Sequence, residues 1–364
     1  MKIAIVAPLV APIREPQRGG SQAFVSDLAH GLIGRGHEVH LYAASGSDVP
    51  GVQVIDTGVD HRALSATLYR ASGGGAGEQS ATESAFAGVY SAVRDDRYDV
   101  IHNHAFDAPA IRLATAMEAP VVHTLHLPPE DAVAAAVRDA VLRDPPPTVA
   151  GVSIFQASAW RRVVPVDAIL PPCVPTARID WSPAGGDGAV FAGRLSPEKG
   201  AAEAIDIAQA AGVHIDVYGD SYDAEYARER IDPRRAEPAV SVHSGVPRSS
   251  LWEAMGRAAV VVCPARWDEP FGMVAAEAQA CGTPVVAFER GALGEVIVDG
   301  LTGFLVAPDD IDAAADAVRT APRLSRSECR AHAERRLDLE WSLDASERLY
   351  QRVAAAGAWA AASG

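Results

Sequence analysis

Short apolar runs bounded by Gly, Pro and charged residues recur along the chain, with Ala-rich stretches of helical spacing between them. Lys2 to Val6 opens the series, and Tyr98–His104, Val121–His126 and Thr148–Ser153 continue it through the first half. In the second half the runs are Ala189–Ala192, Val213–Tyr218, Ala239–His243, Ala259–Pro264 and Pro284–Phe288. Near-continuous apolar runs predict strands covered on both faces by helices. Strands alternating with helices in both halves predict an α/β fold with two Rossmann-like parallel sheets. A chain of 364 residues holds two such domains. Pro183 and the Gly-rich segment between Arg178 and Gly188 mark the expected linker, dividing the chain into 1–177 and 178–340. The run Ser72–Gly77 reads as a mobile loop.

Composition narrows the function. A net charge of −15 argues against nucleic acid and against an electrostatic grip on anionic lipid. No apolar run has the length of a bilayer span, so stable membrane insertion is not expected. Pro8 and Pro12 break the opening run, which reads as a strand and not as a signal peptide. Cys173, Cys263, Cys281 and Cys329 show neither metal spacing nor a disulfide framework, consistent with a reducing cytoplasm. Lys occurs only at Lys2 and Lys199, with Arg supplying the other cations; this usage and the abundance of Ala point to a GC-rich bacterial source.

Candidate chemistry gathers in a few loops. Glu269 lies beside Pro270, and Glu277 lies eight positions on in an Ala-rich helix that Phe271-Gly272-Met273 opens with free backbone N–H groups. Carboxylates accept hydrogen bonds from sugar hydroxyls, while amides at a helix N-terminus favour phosphate. Gly19-Gly20 at a strand–loop–helix junction permits a similar approach, and no Gly-x-Gly-x-x-Gly dinucleotide fingerprint is present. Arg194 and Lys199 follow the Ala189 strand in a basic loop. His102, His104 and His126 stand at strand ends, where ligands of open α/β sheets bind.

Three blocks together resemble the retaining glycosyltransferases of family 4. They are Glu269-Pro270-Phe271-Gly272 through Glu277 with the Cys281-Gly282-Thr283-Pro284 exit, Gly193-Arg194 through Lys199-Gly200, and Gly291–Val306. The resemblance implies the GT-B fold, two Rossmann-like domains facing across a cleft, with a terminal helix at about 341–364 crossing back to the first domain. It implies a metal-independent hexosyltransferase without cofactor, using a nucleoside diphosphate sugar, UDP- or GDP-linked, as co-substrate. Arg194 and Lys199, with amides near Gly19 and Gly20, would hold the diphosphate, and Glu277 the ribose. Glu269 and Phe271, Gly272 and Met273 would hold the transferred sugar, which His126 would contact from the first domain. Gly219, Asp220, Gly245 and Val246 would flank the nucleobase. The stretch Ile169–Pro175 lacks the Asn and Gly the family often has there.

The acceptor is expected on first-domain loops around residues 8–18, 57–80 and 127–147, and small-molecule, oligosaccharide and lipid-linked acceptors all stay open. So do a related GT-B enzyme (a pseudo-glycosyltransferase, a sugar-phosphate coupling enzyme or a nucleotide-sugar epimerase) and a non-catalytic sugar-binding protein.

Overall fold

The structure, a computed structural model, describes residues 1–64 and 76–363. Most of the Gly-rich run lies outside the described residues, although its last two, Ala76 and Gly77, open the Ala76–Arg94 helix. By its internal contacts the chain divides into two compact units. The first holds Met1–Arg14, Ser21–Pro172 and Ser342–Gly364; the second holds Glu15–Gly20 and Cys173–Trp341.

In the first unit β1 (Lys2–Val6), β2 (Glu38–Ala43), β3 (Gln53–Asp56), β4 (Val100–Asn103), β5 (Val121–Leu125), β6 (Thr148–Gly151) and β7 (Ala168–Ile169) form one sheet in the order β3-β2-β1-β4-β5-β6-β7. Each neighbouring pair is parallel. Ile3, Ala4, Ile5 and Val6 have no exposed surface, as a central strand between two helical layers requires. The edge strands β3 and β7 are half-exposed and carry no apolar run, so the sequence pattern does not single them out. The terminal helix Leu339–Ser363, which begins two residues before the expected Trp341, joins this unit from Ser342 onward. Its Leu343 lies where a Cβ on Gly31 would come within 2.7 Å. Asp344 pairs with Arg35 at 2.7 Å and Glu347 with His37 at 2.7 Å, while Tyr350 is fully buried.

The second unit has β8 (Ala189–Ala192), β9 (Ile215–Tyr218), β10 (Val240–His243), β11 (Val260–Cys263), β12 (Val285–Phe288) and β13 (Gly303–Val306), ordered β10-β9-β8-β11-β12-β13 and again parallel. Two buried arginines from one helix, Arg326–Arg336, close the far side. Arg326, 8% exposed, donates to the carbonyls of Ser182, Gly256, Ala258 and Cys281 and to Thr283 Oγ1. Arg330 donates to Thr176, Ile179 and Ala280. Several of these carbonyls end helices and lack helical partners, so a long planar cation satisfies them where no backbone N–H can.

Strand order reverses between β1 and β4 in the first sheet and between β8 and β11 in the second. In open α/β sheets the crevice outside the carboxyl ends of the strands at such a reversal is where ligands bind. Arg194 and Lys199 follow β8 and Glu269 follows β11.

Replacing Arg326 leaves several buried acceptors without a donor, each costing about 1–3 kcal/mol. Arg326→Leu is expected to destabilise the second unit by about 3 kcal/mol or more, read as a lower urea midpoint. An unchanged midpoint would mean that water replaces the guanidinium.

Candidate active site

The loop after β8 and the loop after β11 are locked together by a glycine. Gly200 has φ +75°, and a Cβ there would lie 2.1 Å from the Pro264 carbonyl oxygen. The Arg266 amide also donates to the Glu198 carbonyl at 2.9 Å. This approach brings the Lys199 ammonium onto both carboxylate oxygens of Glu269, at 2.7 and 2.8 Å, and over the Trp267 ring at 4.5 Å. Arg194 pairs with Glu198 at 3.1 Å and covers the Tyr222 ring at 4.9 Å. The sequence suggests phosphate for Lys199 and hydroxyls for Glu269; in the structure the two side chains pair with each other.

Glu269 is held from its other side as well. Its carbonyl accepts the Ala292 amide at 2.8 Å, and Gly291, φ +61°, passes so close that a Cβ would lie 2.3 Å from the Glu269 nitrogen. Phe271 is 7% exposed, and Gly272, φ +103°, is the N-cap of the Met273–Ala280 helix. No side chain caps this helix, so the amides of its first turn point out of its end. Such an end attracts anions.

Glu277 lies on the second turn of that helix and is 5% exposed. Its Oε1 accepts from Arg248 Nε at 2.6 Å and from Trp252 Nε1 at 3.1 Å. Sequence reasoning passed over Arg248 because it is the first residue of a separate helix, Arg248–Arg257, with no motif around it. The only available signal is that a buried carboxylate needs a cation. Trp267 was also passed over.

Glu15–Gly20, from the loop after β1, packs in the second unit. Glu15 Oε2 accepts the Arg248 amide at 3.0 Å, and a Cβ on Gly20 would lie 3.0 Å from Met273 Sδ. A side chain at Gly20 would require Met273 to shift, and Gly19 precedes Gly20 in the same segment. The loops after β9 and β10 are tied by Asp220, whose Oδ1 accepts the Gly245 amide at 2.9 Å; Val246 follows, half-buried. Gly219 is required by packing, since a Cβ there would lie 2.0 Å from the Gly193 carbonyl oxygen.

The first unit carries a buried histidine cluster. His102, His104 and His123 have no exposed surface and His126 has 8%. His104 Nδ1 and His126 Nε2 are 2.9 Å apart, and the His102 ring lies 3.9 Å from that of His104. His102 bonds to Tyr350 Oη and, at 2.7 Å, to Thr124 Oγ1. Burial disfavours the charged form throughout: His126 and His123 are lowered to about 4 and His102 to about 3, and His104 is held well below the ordinary histidine value. All four are neutral at pH 7. Asp107 is pushed up to about 6 by burial and by the nearby Glu130.

Unfolded histidine titrates near 6.5, above the folded values. The stability this cluster contributes is complete above about pH 6.5 and is lost as pH falls toward 4. The melting temperature is expected to drop between pH 7 and pH 5, with a smaller drop in His123→Phe; a flat profile would refute burial of neutral rings. Arg248→Met leaves Glu277 buried without its cation and is expected to cost about 3–5 kcal/mol. Lys199→Met, at a pair about one-fifth exposed, is expected to cost about 1 kcal/mol or less by chemical denaturation. Equal losses would mean that the two pairs are equivalently placed.

Comparison with known proteins identifies the family. Residues 183–336 match the family described as glycosyl transferases group 1, and residues 18–178 match glycosyltransferase family 4. The chain is 30% identical to the D-inositol 3-phosphate glycosyltransferase of Mycolicibacterium paratuberculosis, over 87% of this chain and 81% of that protein. It is 44% identical to the Kribbella flavida protein of the same name, over 26% of this chain and only 23% of that one. Among solved structures, sucrose-phosphate synthase from Thermosynechococcus elongatus superposes with a TM-score of 0.79 at 20% identity, covering 98% of this chain and 99% of that one. The Anabaena protein HepE in complex with UDP gives 0.72 at 20% identity, covering 97% and 100%. Two parallel-sheet units and these structural likenesses establish the GT-B fold, and the chain belongs to glycosyltransferase family 4.

Proposed function

We propose that this protein is a retaining glycosyltransferase that moves a hexose-like sugar from a nucleoside diphosphate sugar to a hydroxyl acceptor. The observation that carries the reading lies within the second unit. A Lys and a Glu from the loops on either side of the strand reversal meet beside an uncapped helix N-terminus, and a second, buried Glu stands on that same helix. A diphosphate brings negative charge that competes with Glu269 for Lys199 and takes up the first-turn amides. Glu269, released from the ammonium, then accepts hydroxyls of the sugar.

As the glycosidic bond breaks, negative charge grows on the departing diphosphate. Fixed cations and amides stabilise that charge more than they stabilise the ground state. Arg194 and Lys199 supply the cations in this reading, Gly19 and Gly20 add backbone approach, and Glu277, steadied by Arg248 and Trp252, takes the ribose. Gly219, Asp220, Gly245 and Val246 edge the base. Retention follows if the acceptor attacks the face the diphosphate leaves, with a phosphate oxygen taking its proton. No metal and no cofactor enters this scheme. HepE has been solved with UDP, which puts uridine first among nucleosides to try.

Among the described residues no helix is long and apolar enough to cross a membrane. The acceptor is proposed to be a small molecule, an oligosaccharide or a lipid-linked sugar, met in the cytoplasm.

UDP, GDP and ADP, each free and as its glucose or mannose sugar, are expected to include one ligand that raises the melting temperature; a ligand at a hundred times its Kd adds about 2.7 kcal/mol. Lys199→Met and Glu277→Gln are expected to lose most of that shift. Absence of any shift, or full retention in both variants, would overturn the donor site. Conversion of the donor sugar to its epimer without acceptor would favour an epimerase instead.

A further inference from the structure

Each neutral imidazole carries one hydrogen on one of two nitrogens, and which nitrogen that is decides whether His126 donates or accepts at its free edge. The His104–His126 contact runs from Nδ1 of one to Nε2 of the other at 2.9 Å, so one nitrogen donates and the other accepts. The direction is decided at the opposite end of His104. Its Nε2 is buried and has no hydrogen-bond partner among the described residues. A hydrogen there would be an orphaned N–H inside the protein, the rarer and costlier of the two unsatisfied states. His104 therefore holds its hydrogen on Nδ1 and gives it to His126 Nε2. With Nε2 occupied as an acceptor, a neutral His126 carries its own hydrogen on Nδ1.

The ring that sets this polarity is itself fixed. His102 is held through both nitrogens, by Thr124 and by Tyr350, and its ring lies against His104. Phe24 presents its edge to His104 and His126 at 6.0 and 6.5 Å between centroids. Among the described residues no hydrogen bond reaches Nδ1 of His126, and His126 keeps a little open surface where His104 keeps none.

We propose that His104 is a positioning residue that fixes His126 as the Nδ1–H tautomer, so that His126 offers its ligand a hydrogen-bond donor and no base. The ligand atom it meets is then an oxygen acceptor, such as a sugar hydroxyl or ring oxygen. Its use in sugar transfer rests on the function proposed above, whereas the tautomer does not. Proton removal from the acceptor falls to another group, in agreement with the diphosphate taking it.

The test is ring-nitrogen NMR on the full chain labelled with 15N-histidine at pH 7, with His126 assigned by loss of its signals in His126→Phe. The expected spectrum has His126 with a protonated Nδ1 and an unprotonated Nε2. In His104→Leu those two signals are expected to exchange character as His126 reverts to the Nε2–H form favoured by a free imidazole. His104→Asn, whose side-chain amide stands near the place of Nδ1, is expected to restore the original pattern. Circular dichroism confirms that each variant is folded, and if His104→Leu is not, the wild-type spectrum alone decides. Nε2–H on His126 in the wild type, or an unchanged tautomer in folded His104→Leu, overturns the proposal. The predicted tautomer in a protein that binds none of the nucleotides above would overturn the proposed function and leave His104 as the positioning residue.

Discussion

Gly200 against the Pro264 carbonyl is the constraint on which the approach of the loops after β8 and β11 depends. Two loops leaving neighbouring strands normally diverge as their helices begin. Here a positive-φ glycine with no side chain lets one loop lie directly on the other, and Lys199 and Glu269 cannot avoid each other. The resulting ion pair is mostly buried yet still reached by solvent. Arg248 with Glu277 is built differently: both are nearly sealed, and the pair acts as a fixed support.

The first unit solves another problem. Four imidazoles packed among apolar strands would be untenable if charged, and burial keeps them neutral. Neutral rings hydrogen-bond directionally: His104 bonds to His126, while His102, bonded to Tyr350 on the terminal helix and to Thr124, lies against the His104 ring. A cluster that looks like a candidate for acid–base work becomes a device for orientation.

The elements were readable where the chain is apolar on both faces. The central strands follow the apolar runs within a residue or two, because a parallel sheet between helices leaves no polar side. The half-exposed edges β3 and β7 were not readable for the converse reason. At the site, Glu269, Glu277, Arg194 and Lys199 stood out through local motifs. Their partners did not: Arg248 meets Glu277 from a different helix, and the pairing of Lys199 with Glu269 spans two loops whose contact depends on a single glycine. Tertiary proximity of that kind leaves no periodicity to read. Gly219 shows the opposite confusion, since a glycine in a candidate loop also answers to a neighbouring backbone carbonyl.

The membership of Glu15–Gly20 in the second unit bears on recombination. Exchanging the first half of one such protein for that of another, by a single crossover at residue 172, would carry this strip along with the wrong partner. The incoming segment would have to offer an oxygen to the Arg248 amide and a residue small enough to sit under Met273. Chimeras that import a new first half while restoring those six native residues, Glu15 to Gly20, preserve a surface that linear order hides.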